Sequence, residues 1–243
     1  MASGLVVGDR VLVPSSLLPD GTDYPYAVHE TEVLEHQGRS IRVRLRDGQP
    51  SDLVGTSRVR RSVGVDIFRI GDLGTEVTLL DPLMKSLLQY ARLLLPDDLV
   101  QAHRLRSVAE LKAIWSARVG VVSHAVLVGH GATDGIRFAV DGKVGAEDLA
   151  AAFASPGASS KTFVSLCCNT GYKDFGRPFS QASICRALYA PFQSVHGALA
   201  SQWTQSFLGH QFLLGYGHRA AFRNADVPGN VHFRQWINGD FSS

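Results

Sequence analysis

Two stretches of this chain, Ala125-Val-Leu-Val128 and Thr162-Phe-Val-Ser-Leu166, are nearly unbroken apolar runs. A strand with one wet face alternates apolar and polar residues, whereas a strand covered on both faces does not. Such runs, separated by segments with helical spacing, call for an α/β fold: a mostly parallel sheet flanked by helices. The helical segments carry their own signals. Ser107-Val-Ala-Glu110 is a capping box opening a helix that buries Val108, Leu111, Ile114 and Trp115. Leu83, Met84, Leu87, Leu88, Ala91, Leu94 and Leu95 repeat at helical spacing, and Asp81-Pro82 reads as an N-cap followed by a first-turn proline. "VDIFRI" and "TEVTLL" read as strands around a turn at Gly71 to Gly74, and "IRFAVDG" as a hairpin. Residues 146–155, roughly 179–190 and Thr204 to Ala221 read as helices, and "SVHGALA" as a strand.

Residues 1–62 follow a different period. "GDRVLV", "YAVHETEVL" and "SIRVRLRDG" alternate with period two, cleanest at Ile41, Val43 and Leu45, and turn residues separate them. This predicts a small five-stranded β-barrel of SH3-like or Tudor-like type, with Arg42 and Arg44 on its solvated face. The basic link "RVRRSVG" marks the boundary to a larger unit over 63–243.

A chain of 243 residues, 45% hydrophobic and 19% charged, can bury a sizeable core. Its net charge of +2 arises from 24 basic and 22 acidic residues that are interspersed, which argues against nucleic acid as the main partner. No run reaches the roughly 18 apolar residues of a membrane span. The N-terminus lacks the charged flank and apolar core of a signal peptide. Three cysteines, two of them adjacent, make a poor disulfide framework, which places the protein in a reducing cytoplasm.

Two strand ends deliver reactive groups. "AVLVGHG" presents His130 between glycines, and "TFVSLCCNTG" presents a cysteine just before a small polar turn, 38 residues later. Functional groups of open α/β sheets collect at the carboxyl ends of strands. An imidazole beside a thiol can take its proton, stabilise the thiolate and later protonate a leaving amine. Glycine beside the histidine leaves room for backbone N–H donors, those of Gly131 and the cysteine, to approach a tetrahedral oxyanion. Taken singly, a cysteine at a strand end is small core filler. Cys185, His124, His196, His210 and His218 are read as structural, and no metal or cofactor is called for.

The pairing of "VLVGHGATDGIRF" with a strand closing in "CCNTG" resembles the caspase-like cysteine peptidases, the group of caspases, metacaspases, gingipains, separase and prokaryotic CHAT domains. The resemblance covers roughly residues 63–221. It implies a caspase-like sheet, His130 as base and acid, and the nucleophile in the pattern Ala-Cys-x-Thr-Gly, which makes it Cys168. Aligning Val164-Ser165-Leu166-Cys167 with Leu-Ser-Ala-Cys makes it Cys167 instead. The segment "SVHGALASQWTQSFLGHQFLLGYG" is similar to the strand, Trp-containing loop and helix of CHAT-like members, which implies Ser201, Gln202 and Trp203 as substrate-binding residues. The substrate-reading aspartate that metacaspases carry two residues before the nucleophile is Leu166 here. Asp134 or Asp174 would have to serve. The group implies peptide or protein substrates, and activity gated by a small-molecule or protein activator in prokaryotic defence or cell death. The competing readings are an inactive caspase-like scaffold that binds a partner, and a nucleic-acid reader led by the N-terminal barrel.

Overall fold

The alternation in the first sixty residues becomes an antiparallel sheet in the computed structural model, which describes residues 5–19, 21–72, 74, 77–225, 227 and 232–242. Strands β1 (Arg10–Pro14), β2 (Val28–Gln37), β3 (Ser40–Val43) and β4 (Val54–Gly55) pair in that order. Their inward residues Val11, Val13, Val33, Ile41, Val43 and Val54 form a separate apolar cluster with Leu18, Tyr24 and Val59. Arg42 and Arg44 pair with Glu35 and Glu32 on the outer face. In place of the expected fifth strand there is a single bridge from Leu12 to Arg60, where the chain returns to β1 as it leaves the sheet. This small sheet is also tied to the rest of the chain: Ala27 N–H donates to the Leu94 carbonyl, and Ala27 and Val28 join the larger core.

From residue 65 the expected alternation of strands and helices appears. Strand β5 (Val65–Ile70) is followed by α1 (Val77–Leu94), β6 (Val100–Leu105), α2 (Val108–Arg118) and β7 (His124–Val128). A three-stranded excursion comes next, β8 (Gly131–Ala132), β9 (Gly135–Phe138) and β10 (Gly142–Gly145), then α3 (Ala146–Phe153) and β11 (Lys161–Ser165). The chain ends with α4 (Lys173–Gln181), β12 (Cys185–Pro191), α5 (Gly197–Phe212), α6 (His218–Asn224), β13 (Phe233–Ile237) and β14 (Asp240–Ser242). The seven-stranded sheet has the order β14-β13-β12-β11-β7-β5-β6. Its members β12 to β6 run parallel, and β13 and β14 are antiparallel additions. Every residue of β5, β7 and β11 is buried, as strands covered by helices on both faces require. Helices α1, α5 and α6 cover one face through Leu83, Leu87, Ala91, Phe207 and Ala221, and α2, α3 and α4 the other through Leu111, Trp115, Phe153 and Phe179.

Several expectations are corrected. "TEVTLL" is not a strand: its described part opens α1, because Leu80 continues the apolar stripe of Leu83, Met84 and Leu87. Thr75 and Glu76 lie outside the described residues, as does Leu73 of the expected turn. Asp81 is therefore no N-cap, and Pro82 sits inside the helix. The Asp81 carboxylate is instead buried between Arg104 at 2.7 Å and Arg69 at 3.2 Å. The expected helix at 179–190 is α4 ending at Gln181 and then β12, whose run Ala187 to Pro191 is buried throughout. "SVHGALA" is a link and the start of α5, not a strand. The single helix from Thr204 to Ala221 is two, broken where Gly215 adopts φ +65°. Strands β6, β13 and β14 were not expected: their mixed polar sequences are those of strands at or near the sheet edges. The capping box at Ser107 is formed, the hydroxyl accepting from Glu110 N–H.

Trp236 of β13 is 1% exposed, and its indole N–H donates to the Gly171 carbonyl at 3.1 Å. Trp236→Ala should cost about 3–5 kcal/mol in urea unfolding, because it leaves a large void and takes the shorter of two hydrogen bonds from the Gly171 carbonyl, which keeps only the 3.4 Å bond from Arg234. A loss below about 1 kcal/mol would show that the unexpected edge strands add little.

His124, the first residue of β7, lies Nε2 to Gln211 Oε1 at 2.7 Å. Burial, with the nearby charges of Arg60 and Arg186, pushes its imidazole down to about 3. An imidazole depressed in the folded state is neutral there while the unfolded chain protonates, so folding stability is full above about pH 6.5 and falls with pH towards about 3. Relative to His124→Gln, the parent protein should lose about 1.4 kcal/mol per pH unit across that window in urea titrations. Parallel profiles would show that the histidine is not held neutral.

Candidate active site

The strand ends that carry His130 and the paired cysteines are direct neighbours. β7 and β11 pair in parallel with Leu127 opposite Ser165, and the register continues beyond the strands as Leu166 N–H donates to the Leu127 carbonyl at 2.7 Å. Both strands therefore deliver the residues after them to the same edge. There the Gly129-His130-Gly131 segment lies against the Cys167-Cys168 peptide. A methyl group at 131 would fall 2.3 Å from the carbonyl oxygen of Cys168 and 2.9 Å from Cys167 Cβ, and one at 129 would fall 3.0 Å from the Ile70 carbonyl oxygen. No side chain fits at 131 without separating the two segments, so the glycine is a packing requirement. His130 is exposed at this edge, and its carbonyl accepts from Arg137 N–H at 2.9 Å, which fixes the base of the excursion.

The adjacent cysteines differ sharply. Cys167 is 0% exposed among the apolar residues of the α2–α4 face, with Sγ 3.8 Å from the Leu127 carbonyl. Burial pushes its thiol up to about 12, and burial pushes that of Cys185 up to about 12 as well. Both are protonated and unreactive at neutral pH. Cys168 is half-buried, the most accessible of the three.

The turn after Cys168 is held from several sides. Asn169 adopts φ +64°, the left-handed region, in which Asn is well tolerated. The Thr170 hydroxyl donates to the Cys167 carbonyl at 2.7 Å, so Ser165 Oγ–H, 2.7 Å away, donates to Thr170 Oγ1. Ser165 Oγ in turn accepts from Cys167 N–H at 3.3 Å. Gly171 N–H donates to the Pro191 carbonyl at 2.8 Å, and a methyl group there would meet Ala190 O at 2.5 Å. Asn169 N–H reaches the Gln193 carbonyl at 3.4 Å. The segment leaving β12 thus borders the cysteine turn, with the Phe192 ring 6.4 Å from Tyr172 and the Arg234 guanidinium 4.1 Å over Phe192.

The remaining expected residues are elsewhere. Ser201, Gln202 and Trp203 lie on α5 and not in a loop. Ser201 is buried, 2.9 Å from Ser86 Oγ of α1, and Trp203 is stacked on Phe233 at 4.0 Å between ring centres. Trp203 is a core residue, because the segment after β12 is helical from Gly197 onward. Gln202 is exposed on the same helix. Asp134 pairs with Lys143 at 2.5 Å on the excursion, and that contact lowers its carboxyl pKa. Asp174 sits in the first turn of α4. Phe192, Gln193 and Trp236 border the turn and were missed; assigning 185–191 as a strand would have placed Phe192 and Gln193 at this edge. Among the described residues no group of three or more His, Cys, Asp or Glu side chains could hold a metal ion. None of their helices is long and apolar enough to cross a membrane.

No family model and no curated protein matches the chain. Among solved structures it is similar to a secreted C11 cysteine protease from Bacteroides thetaiotaomicron in complex with an irreversible peptide inhibitor. That similarity has 9% identity and a TM-score of 0.49, and covers 68% of this chain and 58% of that one. The chain thus spans less than two thirds of that protein's length.

The difference between the thiols is directly measurable. Iodoacetamide at about pH 8, followed by mass mapping of the native protein, should modify Cys168 and leave Cys167 and Cys185 unmodified until the chain is unfolded. Equal rates at Cys167 and Cys168 would contradict the burial described.

Proposed function

We propose that this chain is a cysteine endopeptidase of the caspase-like type, with Cys168 as nucleophile and His130 as general base and acid. The observation that carries this reading is the close approach of Gly131 to the Cys167-Cys168 peptide, which brings a histidine and an accessible cysteine to one sheet edge. Side-chain alternation supports it. Val126 and Val128 face the α1 and α5 layer, as do Val164 and Leu166, whereas Leu127 and Cys167 face the other layer. Continued alternation, two steps beyond Val128 and one beyond Cys167, would turn positions 130 and 168 to the same side. The buried, protonated thiol of Cys167 favours Cys168 over the alternative register.

In this mechanism His130 takes the Cys168 thiol proton, and the thiolate attacks the carbonyl carbon of the scissile peptide. Backbone N–H groups of Gly131 and Cys168 receive the oxyanion. Collapse of the tetrahedral intermediate breaks the C–N bond while the imidazolium protonates the departing amine. Water, deprotonated by His130, then displaces Sγ, releasing the carboxyl product and restoring the thiol. With Trp203 in the core, the segment from Phe192 to His196 is the wall against which a peptide would lie. We further assign residues 1–62 as a small SH3-like unit with its own apolar cluster, joined to the larger core through Ala27 and Val28.

A fluorogenic peptide library tests this reading. Cys168→Ala should abolish cleavage, Cys167→Ala should retain it, and His130→Ala should lower kcat about a hundredfold or more. An active Cys168→Ala protein would overturn the assignment.

A further inference from the structure

At the opposite edge of the main sheet from Cys168, where β7, β11 and β12 begin, a cavity of about 650 Å³ opens beside the link that leaves the N-terminal sheet. Among the described residues no carboxylate lines it, while Arg60, Arg61, Lys161 and Arg186 all do. Arg61 is balanced by Asp9 at 3.0 Å. The other three have no carboxylate partner among the described residues. Arg60 donates to the carbonyls of Ser57, Val59 and Tyr216, and Lys161 to the Val119 carbonyl at 2.7 Å and Ser159 Oγ at 3.3 Å. Arg186 is exposed at the rim. Their charges act on one another: beyond the effect of burial, Arg186 lowers the pKa of Arg60, Lys161 and His218. Such a concentration of like charge is unfavourable unless an anion shares the space.

A second observation points the same way. Gln211 lines the cavity, is 5% exposed, and its Oε1 accepts from Nε2 of His124. Its amide nitrogen Nε2 is buried without any hydrogen-bond partner. Buried amide donors are almost always satisfied by protein, ordered water or ligand, and Gln211 lines the cavity, where an acceptor of a bound molecule can meet it.

We propose that this cavity binds a small phosphate-bearing molecule of about mononucleotide size, its phosphate held by Arg60, Lys161 and Arg186 and an acceptor oxygen meeting Gln211 Nε2. The volume lies within the range of sites for molecules of that size, about 300–1,000 Å³. Arginine and lysine supply the donors that phosphate oxygens accept. Arg60 comes from the link after the N-terminal sheet and the other groups from the main body, so the ligand bridges the two. The site shares no residue with the Cys168 edge and does not rest on the peptidase reading.

The test is calorimetric titration and thermal denaturation of the full chain at about 0.15 M salt, with orthophosphate, tripolyphosphate, AMP, ATP, adenosine and a short oligoribonucleotide. At least one of the small phosphate compounds should bind and raise the melting temperature, and adenosine should do neither. Tripolyphosphate without AMP or ATP would identify an inorganic phosphate site, and AMP or ATP a nucleotide site; either supports the proposal. Arg186→Glu, at an exposed position, should weaken binding about tenfold or more, as loss of a charge-assisted contact does. Lys112→Glu, the same charge reversal on an exposed turn of α2, should leave it unchanged. No binding by any small phosphate compound at about 1 mM, equal weakening by both substitutions, or binding of the oligoribonucleotide alone would overturn the proposal.

Discussion

The parallel pairing of β7 with β11, extended by one further bond into the residues beyond them, is the constraint on which the candidate site depends. Because Leu166 N–H still reaches Leu127 O, the Gly-His-Gly segment and the twin cysteines leave the sheet side by side. Gly131 then permits a backbone approach that no other residue allows. The same register packs Cys167 into the α2–α4 layer. Cys167 is drawn into the core, and Cys168 is left at the rim.

The rest of the sheet holds these strands in place. Two buried carboxylates clamp its β5–β6 end to the helices on either face. Asp66 is 0% exposed, bonded to His103 at 3.1 Å and by both oxygens to Arg118 of α2. Burial alone would raise its pKa, yet the hydrogen bonds from His103 and Arg118 outweigh burial and lower it. Asp81 of α1 does the same on the opposite face with Arg104 and Arg69. A buried charge left without its partner is strongly destabilising, so these clusters tie each helical layer to specific strands. At the other end, β13 reaches back to the cysteine turn through Trp236 and to Phe192 through Arg234.

The two edges of the sheet have opposite characters. The carboxyl edge gathers a histidine, a half-buried thiol and a glycine packed against the cysteine peptide. The amino edge gathers cations, several hydroxyls and an unpartnered amide, where Arg60 from the N-terminal link meets the starts of three strands. Chemistry at one edge and anion recognition at the other would be joined by the strands that run between them, with β7 and β11 carrying His124 and Lys161 at one end and leading to His130 and Cys168 at the other.

Local sequence was enough to determine the strands with unbroken apolar runs, the Ser107 cap, the hairpin after His130 and the period-two character of the first sixty residues. Each of these depends on neighbours within a few positions. Where two periods competed, tertiary contacts decided: Asp81-Pro82 has the form of a helix start, but burial of Leu80 and pairing of Asp81 with Arg69 and Arg104 carried the helix further back. Residues 185–191 became a strand because both of their faces are covered by layers assembled from distant parts of the chain. Which cysteine stays accessible was only partly legible locally: the flanking residues offered two registers, and burial of Cys167 against the α2–α4 layer is a tertiary outcome. The cationic cavity was hidden for the same reason: Arg60, Lys161, Arg186 and Gln211 are scattered over 150 residues of a charge-balanced chain, and only the folded sheet brings them together.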